Sequence, residues 1–276
     1  MVRIITDSSA DFDKTERAKY GLTVFDMPVV FDDETQNTTD LNEFWKKVIS
    51  GKTAHTSQPS QQEMQEEFER AKANNEKVVC VLLGSALSST YESAMAIVKN
   101  LNYNGIYVVD TCTASVGEKI LVKKACEMRD NGASAKEIFE TLEKLKSKVK
   151  VFVAIDTLKF LAKSGRISKA MASLGELISL KPIFTFTEEG KIKIVAKAIG
   201  NTLATTKLID IIKTSNPDLN YDIIPVFASD KTNCVNMMQK AKTKGVEIKE
   251  ELLTPIGCTI GTHIGPGGFG VSLVLK

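Results

Sequence analysis

Only two histidines occur in the 276 residues, and that scarcity removes several chemistries at once. A His-based metal site needs more imidazoles than His55 and His263 supply, and no carboxylate–histidine cluster stands at ligand spacing. Five cysteines, at positions 80, 112, 126, 234 and 258, are odd in number, widely spread and without a Cys-x-x-Cys pair. They offer neither a disulfide frame nor a zinc site, and a reducing compartment suits them. Cys80 sits in the apolar run Val78 to Leu83, where a thiol packs as a small hydrophobe. The chain lacks a Gly-x-x-x-x-Gly-Lys-Ser/Thr loop, so it has no recognisable way to hold ATP by itself. No apolar stretch approaches the roughly eighteen residues of a membrane span. Met1 to Thr6 runs straight into strand-like sequence without the leader of a secreted protein, and a cytoplasmic location is expected. The 36 basic and 34 acidic residues alternate, and a net charge of +2 leaves no footprint for nucleic acid or anionic lipid. Ligands are to be sought in pockets.

What is present points to an α/β protein of two domains. The first half alternates β-branched runs with helical patterns, as a parallel sheet with crossover helices does. Strands are expected at Val2 to Thr6, Lys77 to Leu83 and Ile106 to Val109, with Thr23 to Phe31 an extended run bent at Pro28. Between them, apolar residues at helical spacing mark helices near 12–20, 41–50, 61–75, 89–100, 115–131 and 136–146. The second half reads differently. A strand at Val151 to Ile155, short helices at 157–163 and 168–179, a hairpin across Glu188-Glu189-Gly190, helices near 202–214 and 231–244, and strands at 223–228 and 271–275 make an α+β mixture with a mixed or antiparallel sheet. The boundaries are placed at 1–149 for an N-terminal α/β/α domain and 150–276 for the second domain.

The residues with most chemical potential are hydroxyls placed before helices. His55-Thr56-Ser57-Gln58-Pro59-Ser60 precedes a helix, and Ser60-x-x-Glu63 is a possible capping box. Helix starts leave unpaired N–H groups and partial positive charge, so hydroxyls there either cap the helix or help to cradle a carboxylate or phosphate. The pattern recurs at the end of the next strand, in Gly84-Ser85-Ala86-Leu87-Ser88-Ser89-Thr90-Tyr91-Glu92, where Ser89-x-x-Glu92 is a second possible box. Ligands of open α/β sheets bind beyond the carboxyl ends of strands, an edge lined here by Asp7, Ser8, Ser88 and Thr111. Gly265-x-Gly267-x-x-Gly270 matches the dinucleotide fingerprint formally but precedes a strand where the fingerprint must open a helix. That glycine-rich stretch is either a tight turn or a loop carrying His263 toward an anionic head group. The basic turn around Ser164-Gly165-Arg166-Ile167 is either solvated surface or an anion or partner contact.

Five segments together, Asp7 to Asp11, Thr56 to Ser60, Leu87 to Tyr91, Leu158 to Ile167 and Gly261 to Gly270, resemble the DegV family of bacterial fatty-acid-binding proteins over the full length and in the same order. The resemblance implies a protein that buries a long acyl chain and holds its carboxylate through Thr56 and Ser88. Ser57, Ser89, Thr262 and His263 are its further ligand neighbours. It implies no catalysis, no ATP site and no cofactor besides the bound acid. It also implies a partner, a separate fatty acid kinase of dihydroxyacetone-kinase-like type that docks near Arg166 and phosphorylates the carboxylate. Departures concern the ligand more than the fold: Ala86 and Ser89 stand where the family commonly has glycines, and Ser164 replaces the first of a usual Gly-Gly-Arg-Ile. The competing reading is an enzyme acting on a small phosphorylated substrate at the same strand-end hydroxyls.

Overall fold

The computed structural model describes residues 2–168, 171 and 179–276, and the helix expected between Ser168 and Ser179 lies outside them but for Met171. In chain order the strands are β1 (Val2–Asp7), β2 (Thr23–Phe25), β3 (Val29–Phe31), β4 (Ala54–Thr56), β5 (Lys77–Leu82), β6 (Ile106–Asp110), β7 (Val149–Ala154), β8 (Leu180–Phe186), β9 (Ile192–Ile199), β10 (Ile224–Phe227), β11 (Thr254–Pro255) and β12 (Phe269–Val274). The described helices are α1 (Lys14–Tyr20), α2 (Leu41–Ile49), α3 (Gln61–Ala73), α4 (Thr90–Leu101), α5 (Val116–Asp130), α6 (Ala135–Leu145), α7 (Lys159–Lys163), α8 (Gly200–Thr214), α9 (Thr232–Thr243) and α10 (Cys258–Ile264).

These elements form two compact units, one of Met1–Pro28, Ser57–Lys148 and Glu188–Lys191, the other of Val29–Thr56, Val149–Thr187 and Ile192–Lys276. The first unit holds a four-stranded sheet in the order β2-β1-β5-β6, parallel throughout. Every residue of β5 after Lys77 is buried, as a central strand covered on both faces requires. Alternate residues Val78, Cys80 and Leu82 pack with Met64, Phe68 and Ala71 of α3 and Ala94 of α4. Their neighbours Val79 and Val81, also fully buried, belong to the opposite face, where α5 and α6 pack. Local chemistry starts the helices: Asp13 caps α1 and Ser134 caps α6, each with a complete capping box.

The second unit carries a mixed six-stranded sheet, β11-β10-β12-β7-β8-β9, and the two-stranded antiparallel β3-β4 ribbon. One face of the large sheet packs Phe152, Ile183, Phe269 and Val271 against Leu208 and Ile212 of α8 and Met237 of α9. The fold is therefore α/β, with one parallel and one mixed sheet.

Two expectations change in detail. The extended run Thr23 to Phe31 is two strands, and β2 and β3 belong to different sheets and different units. A single cut at 149/150 assigns residues 29–56 to the first domain, whereas β3, β4 and α2 cluster with the second unit. The reason is aromatic. Phe44 and Trp45 of α2 pack edge to face, with ring centroids 4.9 Å apart, on Gly261 of α10, where a Cβ would lie 2.8 Å from the Phe44 ring.

Gly270 explains part of the formal glycine fingerprint. It lies in β12 between β7 and β10, and a Cβ built on it would sit 2.0 Å from the Phe152 carbonyl oxygen. Backbone cannot yield there as a side chain can. Gly270→Ala is expected to lower the unfolding free energy by at least about 3 kcal/mol in chemical denaturation, the upper end of overpacking costs, and a loss under about 1 kcal/mol would refute this packing.

Candidate functional site: a half-buried threonine–imidazole pair

Strand geometry separates the two residues at the centre of the motif His55-Thr56. Successive side chains of β4 point to opposite faces, so His55 is exposed and pairs with Asp32, its Nε2 2.5 Å from Oδ1, while Thr56 turns inward. Thr56 sits opposite Val29 in the β3-β4 register, and its Oγ1 lies 2.9 Å from Nε2 of His263. The two residues are 207 positions apart in sequence. His263 stands in the last turn of α10, which is a helix where a glycine-rich loop was expected; the turn begins only at Gly265.

Burial determines the state of this imidazole. It is pushed down to about 4, by desolvation first and then by the charges of Arg166 and His55, so His263 is neutral at pH 7. Its Nδ1 is buried with no hydrogen-bond partner among the described residues. A neutral imidazole carries one N–H, and the pair has two arrangements. With the proton on Nε2, the ring donates to Thr56 and the threonine O–H is left to donate. With it on Nδ1, Thr56 donates to Nε2 and the buried Nδ1–H is left. In either arrangement one donor of the half-buried pair remains, among the described residues, for an acceptor such as a carboxylate.

The other expected residues divide between the two units. In the second, Thr262 is buried and donates to the Cys258 carbonyl at 2.9 Å, so its proton is used within its own helix. Arg166 is half-buried, donates to the Ser164 carbonyl at 2.6 Å, and has its guanidinium pulled down by burial. It therefore differs from a solvated surface residue, and its charge reaches His263. Thr262 also lines a cavity of about 270 Å³, together with Val48, Ala54, Phe160, His55 and the lysines 52, 159 and 163.

In the first unit Ser60 caps α3, accepting from Glu63 N–H at 3.3 Å. Ser89 makes no such cap for α4; its hydroxyl donates to Gln58 Oε1 at 3.1 Å, which corrects the second capping box. Ser57 is exposed, and Ser88 Oγ lies 2.9 Å from Thr90 Oγ1. The turn that carries Ser88 is clamped from both flanks: Asp7 Oδ2 accepts from Leu83 N–H at 2.9 Å, and Asp110 accepts from Ser85 N–H at 3.0 Å and Ser85 O–H at 2.6 Å. Asp7 and Thr111, read as lining the sheet edge, are 1% and 0% exposed and support that edge from beneath. Glu118, also 0% exposed and bound to Ser9, escapes a reading by motif. Its only signal in the sequence is a carboxylate ahead of the apolar run Ile120 to Val122 of α5, with Lys119 beside it.

Hydroxyls on strand-end turns in one unit, and a half-buried threonine–imidazole pair in the other, are the candidate site residues of this two-unit α/β protein. A family model described as "Uncharacterised protein, DegV family" matches residues 1–276, and the chain belongs to that family. A DegV domain-containing protein of Caldanaerobacter subterraneus is 30% identical over 273 residues, 98% of this chain and 97% of the relative. A protein of Thermotoga maritima named fatty acid-binding protein is 30% identical over 285 residues, 99% and 98% of the two chains. A solved structure described as fatty acid binding of a DegV family protein from Thermus thermophilus superposes with a TM-score of 0.86 at 27% identity, covering 100% of this chain and 99% of that one.

The depressed imidazole has a measurable consequence. The unfolded chain protonates His263 near its ordinary value of 6.5 and the native state only near 4, so this contribution is complete above about 6.5 and drains away as pH falls toward 4. Its size is up to about 3 kcal/mol. Thermal melts of ligand-free protein from pH 7.5 to 4.5 should show His263→Asn losing less stability on acidification than the parent chain. Equal losses would show that the ring is protonated in the native state.

Proposed function

We propose that the protein binds a long-chain fatty acid, with the carboxylate received by Thr56 and His263, and that it serves as a carrier of that acid. The observation that carries this reading is the half-buried pair itself, which keeps one donor proton without a partner among the described residues. An acceptor anion satisfies such a donor, and Arg166, whose charge already reaches the imidazole, offsets the negative charge. The ligand-binding roles of Ser57, Ser88, Ser89 and Thr262 belong to the same proposal. The names of the Thermotoga and Thermus relatives supply the ligand class.

Energetics assign different tasks to the two ends of such a ligand. Each buried methylene contributes about 0.8 kcal/mol, so a dozen outweigh a hydrogen bond to a charged group at about 1.5–3 kcal/mol. The tail supplies affinity and the hydroxyls set orientation. The apolar wall of Val48, Ala54 and Phe160 in the second unit is the candidate surface for methylenes. We extend the proposal to a partner, a fatty acid kinase that phosphorylates the presented carboxylate.

Denaturing mass spectrometry of the purified protein is expected to release a fatty acid in near-equimolar amount; a phosphate ester, or no small molecule, would sink the reading. Thr56→Val and Ser88→Ala should each weaken binding of a fluorescent fatty acid by about ten- to a hundredfold, as loss of one hydrogen bond to a charged group does, with little change in the ligand-free melting temperature. Arg166→Ala separates two roles. Normal binding with impaired phosphoryl transfer by an added kinase marks a docking residue, and parallel loss of both marks a counter-charge for the carboxylate.

A further inference from the structure

Beneath the Ser88 turn of the first unit lie two carboxyl groups that no salt bridge reaches among the described residues. Asp7 ends β1, and Glu118 occupies the first turn of α5; they are 1% and 0% exposed. Ser9 stands between them, its Oγ 2.6 Å from Asp7 Oδ1 and 2.6 Å from Glu118 Oε2. The remaining oxygens are also engaged. Asp7 Oδ1 accepts from Ser9 N–H at 2.9 Å, Asp7 Oδ2 from Leu83 N–H at 2.9 Å, and Glu118 Oε1 from Thr6 O–H at 3.0 Å.

Counting protons decides the charge. A hydroxyl owns one proton and can donate along one of its two short contacts. If both carboxyls were ionised, the other contact would press two oxygen lone pairs together at 2.6 Å inside the unit. A second proton is needed, and it must sit on a carboxyl. Asp7 receives two backbone N–H groups, which favour its ionised form, whereas Glu118 meets only hydroxyls.

We infer that Glu118 is an un-ionised carboxylic acid at neutral pH that donates to Ser9, which in turn donates to Asp7, and that this chain positions the turn bearing Ser88. No bond breaks in this arrangement; a proton that leaves Glu118 goes to solvent. The surroundings agree. Burial pushes Glu118 well above its ordinary value, with the Asp7 charge acting in the same direction, and it raises Asp7 against its three hydrogen bonds. The thiol of Cys80, on the other face of β5, is likewise driven up, by burial first and then by Asp7 and Glu118. Asp11 adds a further negative charge. The nearest lysine on the same helix, Lys119, is engaged by Glu16 Oε2 at 2.6 Å and the Asp11 carbonyl at 3.0 Å.

The link to the Ser88 turn rests on the proposed function; the protonation of Glu118 does not. Because the native state holds this proton above the unfolded value of 4.5, the contribution is complete below about 4.5 and is lost as pH rises through the native value. The test compares ligand-free melting temperatures from pH 5 to 9 for the parent chain, Glu118→Gln, Glu118→Ala and Asp7→Asn. Glutamine keeps the shape and a donor toward Ser9. It is expected to match or exceed the parent at pH 8, with its advantage growing as pH rises, while Ala and Asp7→Asn melt lower. The infrared C=O stretch of a buried carboxylic acid should be present in the parent at pH 7 and absent from Glu118→Gln. A Gln variant as damaged as the Ala variant, a pH-independent difference from the parent, or no such band would overturn the inference. Fatty-acid affinity should fall at least tenfold in Asp7→Asn. If the parent itself binds no fatty acid, the proposed function fails while the melting and infrared results still decide Glu118.

Discussion

A polar group that leaves water inside a protein must find a partner there, and this constraint organises both units. Parallel strands gather their ends on one side of a sheet, and in the first unit those ends deliver Asp7, Asp110 and Thr111 to the base of the connecting turns. Backbone N–H groups of the turns then bond to the carboxylates, as buried Leu83 does to Asp7 and half-buried Ser85 and Cys112 do to Asp110. A turn held in this way has little freedom to rearrange. On the proposed reading its hydroxyls are held in place before a ligand arrives, which lowers the ordering cost of binding.

The same constraint acts in reverse in the second unit. There, desolvation of His263 removes its charge and, among the described residues, leaves one donor of the Thr56–His263 pair unspent. The aromatic packing of Phe44 and Trp45 on Gly261 fixes α10, and β4 fixes Thr56, so the pair rests on rigid elements instead of mobile loops. Precision of about half an ångström in a binding constellation needs that kind of support.

Much of this was legible in the residues and some was not, for definable reasons. Period and capping chemistry located β5, α3 and α6 closely, because a central strand must be apolar and a helix start must satisfy its N–H groups. Of the two roles open to a hydroxyl before a helix, Ser60 takes the cap. Ser89 has the same pattern yet bonds to Gln58, because a nearby side-chain acceptor competes with its own helix. The periodicity hides α10 because Gly261 lowers helix propensity in its middle; tertiary packing against the Phe44 and Trp45 rings outweighs it. The placement of 29–56 with the second unit, and the meeting of Thr56 with His263, depend on pairings between distant segments that periodicity does not encode.

Neutrality of the imidazole matters to what the pair can do. A charged histidine buried beside Arg166 would place two cations together in the ligand-free protein, and desolvation would add to their repulsion. Holding the ring neutral avoids that state while retaining a donor. On the proposed reading, an incoming carboxylate shifts the balance, since an adjacent anion favours the protonated ring and partly cancels the influence of Arg166. Ligand and proton uptake are then coupled through one residue, and by linkage the acid binds more tightly as pH falls toward the value of the occupied site, until protonation of the carboxylate itself opposes binding. A carrier built in this way keeps its head-group donors uncharged when empty and gains electrostatic attraction only when an anion is present.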